Sequence, residues 1–489
     1  MTFNSYIFIL AFLPIMLLVY YILRFLKWHV VAKLSLILAS VIFIGVYDAR
    51  FWVFIGGTLV INIATGFILR ALARANKKIF SRIVLAVGIL LNVLTLGYFR
   101  YAEFIVEVFK IRVSTDFFAA KILVPLGISF VTFQQIAFLV DVFRKKITQI
   151  NVIDYIFYIT YFPKYIQGPI TKYEVLIGDI NSEENYRPNA DNLAYGLWLF
   201  ITGLGKKVLL ADIFANAVTW GWANLEALTA VEALLITICF TLQIYFDFSG
   251  YSSMAIGVSK MLNIRLADNF DSPYQATSII DFWKKWHISL TDFLREYVYF
   301  PLGGSKKGKI RTYLNIMIIF LLSGLWHGAA WTYILWGALH GAANCLNRIF
   351  KKQWDKLNAV LSWALTFGFV NAAWVFFRAS TIQEAWKLLC KIARMQSTHI
   401  SNELIECFRI PEITFFMNRF EGFAKFVTDH RGFELSVFLI VGFALVLSVK
   451  DKCVEKFKPT FMKCILSMTI FFWSIISLSS VVEFIYENF

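Results

Sequence analysis

Long apolar runs separated by short clusters of lysine and arginine dominate the chain. They occupy 5–23, 34–47 with 51–69, 83–109, 121–143, 193–218, 231–258, 312–345, 359–377, 433–449 and 461–484. A helix needs about 20 apolar residues to cross a hydrocarbon layer about 30 Å thick. Most of these runs therefore predict spanning helices, and the longer ones can hold two short or broken helices. The pattern predicts an all-α polytopic membrane protein with about 11–13 membrane segments. The first run, from Tyr6 to Leu23, lacks a basic leader and a small-residue cleavage site, so it reads as a retained span.

The clusters between the runs set an expected orientation. Arg24, Lys27 and Lys33 form the first, Arg70, Arg74, Lys77, Lys78 and Arg82 the second, and Arg144, Lys145 and Lys146 the third. Pairs of spans separate them, as required if all three face the cytoplasm. The uncharged start MTFNSY is then expected outside. Lys450, Lys452, Lys456, Lys458 and Lys463 precede the last span, which would leave Tyr486 and Phe489 outside as well.

Three stretches fit neither a span nor an ordinary loop. Residues 154–170 are apolar, but Pro163, Gly168 and Pro169 break any regular helix. Broken backbone at membrane depth is tolerated where protein buries it or where it lines a cavity, so a re-entrant element is expected. Residues 268–304 alternate aromatic and charged side chains and end in PLGGSKKGK, which reads as an interfacial helix leading to a basic cytoplasmic turn. The polar region 379–431 is expected to be interfacial or extramembrane.

Composition agrees with this class. Hydrophobic residues make up 59% and charged residues 16%, against about 45–50% and about 25% in soluble domains, and the mean hydropathy is +0.65. The net charge of +15 lies in the short loops rather than along one continuous face, so it marks topology and not nucleic-acid binding. The six cysteines show no metal-ligand spacing, and no metal site is expected. No GxSxG nucleophile turn and no GxxxxGK[ST] phosphate loop occurs, which argues against a serine hydrolase and against ATP-driven transport.

Candidate chemistry concentrates in 281–341, which holds three of the six histidines. His287 lies among charges, beside Lys284 and Lys285. His327 follows Trp326 in a segment apolar enough for membrane interior. An ionisable group at that depth is costly and marks a functional-site hypothesis. Desolvation favours the neutral imidazole, which is a general base suited to deprotonating a hydroxyl. The bland alternatives are a packing histidine at 327, an interfacial solvated one at 287, and a helix-packing role for His340 beside Gly337 and Gly341. Asp247 and Asp268 can equally be structural partners of basic groups.

Six sequence runs bear on this choice. They are VPLGISFVTFQQIAFLVDVFR (124–144), YFPKYIQGPI (161–170), GLGKKVLLAD (203–212), LQIYFDFSGYSSMAIG (242–257), DFWKKWHISLTDFLREYVYFPLGG (281–304) and WHGAAWTYILWGALHG (326–341), with FFRAS closing at 376–380. In this order they resemble the membrane-bound O-acyltransferase (MBOAT) family. The branch resembled includes alginate O-acetyltransferase and the bacterial peptidoglycan O-acetylating and teichoic-acid D-alanylating proteins. The likeness covers roughly 120–380, dividing the chain into N-terminal membrane helices (1–119), a catalytic core (120–380) and a C-terminal part (381–489) with an interfacial segment and two further helices.

The resemblance implies a helical bundle with re-entrant and interfacial helices around a central tunnel. It implies His327 as the catalytic base and His287 as the second polar group beside it, with Trp286, Trp326, Asp247, Asp268 and Asn269 as lining or supporting candidates. The implied donor is a cytoplasmic thioester, acetyl-CoA or an acyl carrier protein, with Lys284 and Lys285 as docking candidates and no bound cofactor. The implied outcome is O-acetylation of an exported polysaccharide or peptidoglycan, by way of an extracytoplasmic SGNH-type acetyltransferase, from the bacterial inner membrane. The tail FIYENF is similar to an aromatic-tyrosine motif of the D-alanylation system, which makes Tyr486 a candidate acyl carrier. D-alanyl transfer to teichoic acid and a polysaccharide or lipid transporter are the competing readings.

Overall fold

The computed structural model describes residues 1–45, 51–110, 124–450 and 457–478, and among them it is all helix, with a single isolated β-bridge. Six helices are long and apolar enough to cross a membrane, or up to seven if the bent pair Glu421–Asp429 and Phe433–Ser448 is one span. His29–Gly45, Ile128–Phe143 and Phe461–Ser477 are shorter apolar helices. The protein is thus a multi-pass helical membrane protein.

Two of the predicted runs take a more interesting form. The run 312–345 divides into Lys309–His327 and Trp331–Ile349, and these pack face to face. The close approach needs glycine: a Cβ on Gly324 would lie 2.3 Å from the Tyr333 carbonyl oxygen, and one on Gly337 would lie 2.3 Å from that of Phe320. The run 193–218 becomes Ala190–Gly205, a π-turn at Lys206–Ala211, and Asp212–Ala223. It crosses the 32-residue helix Ala230–Met261 at a second small-residue contact, where a Cβ on Gly203 would meet the Gly250 carbonyl oxygen at 2.6 Å. The π-turn brings Lys207 between Asp247 (2.7 Å) and Asp212 (2.9 Å), an ion triad inside the bundle.

The expected re-entrant element is broken and buried. Val152–Thr160 is followed by the short turn Phe162–Tyr165, and 161–170 are buried throughout. Lys164 is fully buried there, donating to Gln134 and lying over the Tyr158 ring at 4.2 Å. The stretch 268–304, in contrast, is not one continuous helix. It forms Ile279–Lys285, Ile288–Leu294 and a π-turn at Arg295–Tyr299, with Phe270, Tyr274, Phe282, Trp283 and Trp286 buried in the bundle and Phe300 exposed. The break falls at His287.

Several basic loops share one end of the bundle. Lys77, Lys78, Arg82 and Lys145 line one cavity, and Glu296 binds Lys146 and Lys172 at 2.5 Å each. Burial pushes the Glu296 carboxyl up, yet these lysines hold it below the usual carboxylate range.

Candidate functional site

His287 and His327 meet in the interior, their ring centroids 6.4 Å apart. One oxygen atom hydrogen-bonded to both rings, through bonds of about 2.8–3.0 Å, can bridge such a separation. Solvent reaches almost none of either side chain: His287 is 1% exposed and His327 is 4% exposed. The interfacial solvated reading of His287 is thereby replaced by a buried one. Burial pushes its imidazole down to about 3, so it is neutral near pH 7.

His327 is the last residue of the Lys309–His327 helix, and the backbone turns extended at Gly328. Its ring stands edge-on to Trp336 at 5.3 Å and to Phe377 at 5.1 Å, with Trp326 at 4.9 Å. Trp326 in turn stacks on Phe133 at 5.5 Å and meets Phe130 edge-on at 5.1 Å. Aromatic rings thus pack against the His327 ring on several sides.

The loop carrying His287 is held by backbone and side-chain bonds to 269–271. Trp286 pairs with Phe270 as an isolated antiparallel bridge, and the Ile288 amide donates to the Asn269 carbonyl at 3.0 Å. His287 itself adopts a left-handed conformation (φ 45°), unusual outside glycine, with a cost of order 1–3 kcal/mol. The side chain of Asn269 accepts from Ser289 Oγ at 2.6 Å and donates to Ser252 Oγ at 3.0 Å, while Ser289 Oγ accepts from the Ile170 amide at 3.0 Å. One asparagine therefore joins the re-entrant element, the long 230–261 helix and the histidine loop. Both ring nitrogens of His287 and the indole N–H groups of Trp326 and Trp336 have no hydrogen-bond partner among the described residues.

The other sequence candidates fall into separate places. Trp286 is buried against Tyr245, Phe270, Phe282 and Trp374 and supports the histidine loop from behind. Asp247 belongs to the Lys207 ion triad. Asp268 lines a small cavity with Lys206, Ser249 and Asn269. Lys284 lines a cleft of about 230 Å³ with Arg295 and Arg348, and the inner wall of that cleft includes Leu290 and Ser323. Ser323 is one turn before His327 on the same helix face. Lys285 is paired with Asp281 at 2.8 Å and does not line the cleft. His340 accepts from Trp283 Nε1 at 3.2 Å and packs under Trp336 at 4.9 Å. Tyr486 lies outside the described residues. Among the described residues no group of three or more His, Cys, Asp and Glu side chains could hold a metal ion.

Arg100 escaped the sequence reading. It sits within the apolar helix Lys78–Phe109 and donates to the His327 carbonyl at 2.6 Å and to Ser129 Oγ at 2.5 Å. A charge within an apolar run was the available signal.

Residues 101–382 match MBOAT, the membrane-bound O-acyltransferase family. The chain is 35% identical over 437 residues to a protein named Peptidoglycan O-acetyltransferase from Helicobacter pylori, covering 83% of this chain and 82% of that one. It is 36% identical over 394 residues to Probable alginate O-acetylase AlgI of Pseudomonas aeruginosa, covering 79% and 74%. Similarity to Teichoic acid D-alanyltransferase of Bacillus subtilis is 29% over 273 residues, covering 52% and 68%.

Proposed function

Because the chain belongs to the membrane-bound O-acyltransferase family, and is an O-acyltransferase, we propose that it transfers acetyl groups from a cytoplasmic thioester for O-acetylation of an exported peptidoglycan or polysaccharide. The observation that carries the mechanism is the enclosed pair His287 and His327, 6.4 Å apart. In this reading His327 removes the proton from the acceptor hydroxyl as its oxygen attacks the thioester carbonyl. The C–S bond breaks, and the departing thiolate takes that proton. His287, neutral, donates a hydrogen bond to the carbonyl oxygen as negative charge develops on it. A water-excluded pocket favours transfer to the acceptor over hydrolysis.

The donor, acetyl-CoA or an acyl carrier protein, enters through the cleft bordered by Lys284, Arg295 and Arg348, whose positive charge suits a phosphate-bearing thioester. Its acyl end reaches the histidines by displacing aromatic side chains at the Ser323 end. The basic loops then face the cytoplasm, and both termini lie outside the bacterial inner membrane. An extracytoplasmic SGNH-type acetyltransferase receives the group, with Tyr486 as the intermediate carrier. Acetyl rather than D-alanyl transfer is favoured because the acetylating relatives align over 79–83% of this chain and the D-alanylating one over 52%.

Incubating the purified protein with labelled acetyl-CoA and mapping adducts by mass spectrometry tests the proposal. Label on Tyr486 in the wild type but not in His327→Ala is expected. Turnover without that adduct would remove the carrier step, and absence of turnover in the wild type would reject acetyl-CoA as donor.

A further inference from the structure

The helix that ends in His327 leaves its last carbonyl groups without intrahelical partners, as every helix does. Here a neighbouring helix supplies them. Tyr101 Oη donates to the Leu325 carbonyl at 2.7 Å, and Arg100 donates to the His327 carbonyl at 2.6 Å. The second arm of the Arg100 guanidinium donates to Ser129 Oγ at 2.5 Å. Ser129 lies on the Ile128–Phe143 helix, next to the Phe130 and Phe133 rings that hold Trp326. A cation at a carbonyl terminus also complements the helix dipole, most strongly where solvent is excluded.

From this geometry we propose that Arg100 and Tyr101 are positioning residues for the acyl transfer, fixing the backbone from which the His327 ring projects. The inference rests on His327 as the base, but its structural half does not. Neither residue touches the reacting atoms. The planar guanidinium ties three helices at the point where the chain turns out of the Lys309–His327 helix. Loss of either arm lets that terminus fray, and misplacement of a catalytic group by about 1 Å can cost about 100-fold in rate.

The test uses Arg100→Gln, Arg100→Lys and Tyr101→Phe in the full chain, with His327→Ala alongside. With acetyl-CoA as the probe, Arg100→Gln is expected to lower kcat about 30–100-fold with KM within about twofold. Arg100→Lys should recover part of that loss, since an ammonium still donates to one carbonyl. Hydrogen exchange at the amides of 324–330 should accelerate in Arg100→Gln and Tyr101→Phe while the melting temperature stays within a few degrees. Unchanged exchange in both variants would overturn the clamp, whatever His327 does. Faster exchange with wild-type kcat would overturn its positioning role. His327→Ala with wild-type turnover would instead reject the base assignment and leave the exchange result standing.

Discussion

The rings of His287 and His327 lie 6.4 Å apart, yet they reach that position from unlike local structures. His327 ends a long helix, whereas His287 sits at a left-handed kink between two short ones. The kink is strained, and Asn269 and the 270–286 bridge hold it. Strain retained beside the second histidine accords with a loop built to aim that side chain.

Burial of His287 has a pH signature. Its imidazole is pushed from about 6.5 down to about 3, so the unfolded chain binds the additional proton between those values. Stability from this group is therefore complete above about pH 6.5 and is lost as pH falls through the window, by about 2 kcal/mol at pH 5. Thermal unfolding in detergent should show the wild type losing more stability than His287→Gln between pH 7.5 and pH 5. Parallel pH dependences would contradict the buried neutral ring.

The two neighbouring lysines should behave differently. Lys284 lines the cleft, while Lys285 is held by Asp281. Lys284→Glu should raise KM for an anionic thioester about tenfold, with a smaller effect at high salt. Lys285→Gln should leave KM within about twofold. Equal responses would argue against the cleft as the donor's route.

Glycine at the crossing of the two helices bearing His327 and Trp336 is required by packing. A Cβ on Gly324 or Gly337 meets backbone oxygen at 2.3 Å, and backbone cannot swing aside as a flexible side chain can. Gly324→Ala and Gly337→Ala should each destabilise the protein by about 1–3 kcal/mol. Gly368→Ala, where nothing lies within 4 Å of the added methyl, is the control and should be near neutral. Melting temperatures that do not separate these variants would disprove the close contact.

The sequence made the apolar helices, the broken 154–170 element and the two Trp-His pairs legible, because each is a local pattern of hydropathy or helix-breaking residues, whereas against the expected 11–13 membrane segments the described residues hold six helices long enough to span, or up to seven. What escaped it depends on partners distant in the chain. The charged, aromatic alternation of 268–304 reads as one helix, and its division at His287 depends on the pairing of Asn269 and Phe270 with 286–289. Lys284 and Lys285 both lie about one turn after Asp281 in sequence, and it is the structure that pairs Lys285 with it and leaves Lys284 lining the cleft. Arg100 was passed over among the residues of an apolar helix, because its meaning lies in the carbonyl group of His327.

The proposed function turns on the proposed role of His327 as the base. The most direct measurement is the O-acetyl content of the exported polymer in a strain lacking the gene, complemented with the wild type or His327→Ala at matched protein levels. The wild type should restore acetylation and His327→Ala should leave it lower by about 100-fold or more, as expected for loss of a general base. Restoration by His327→Ala to within about threefold of the wild type would contradict the assignment.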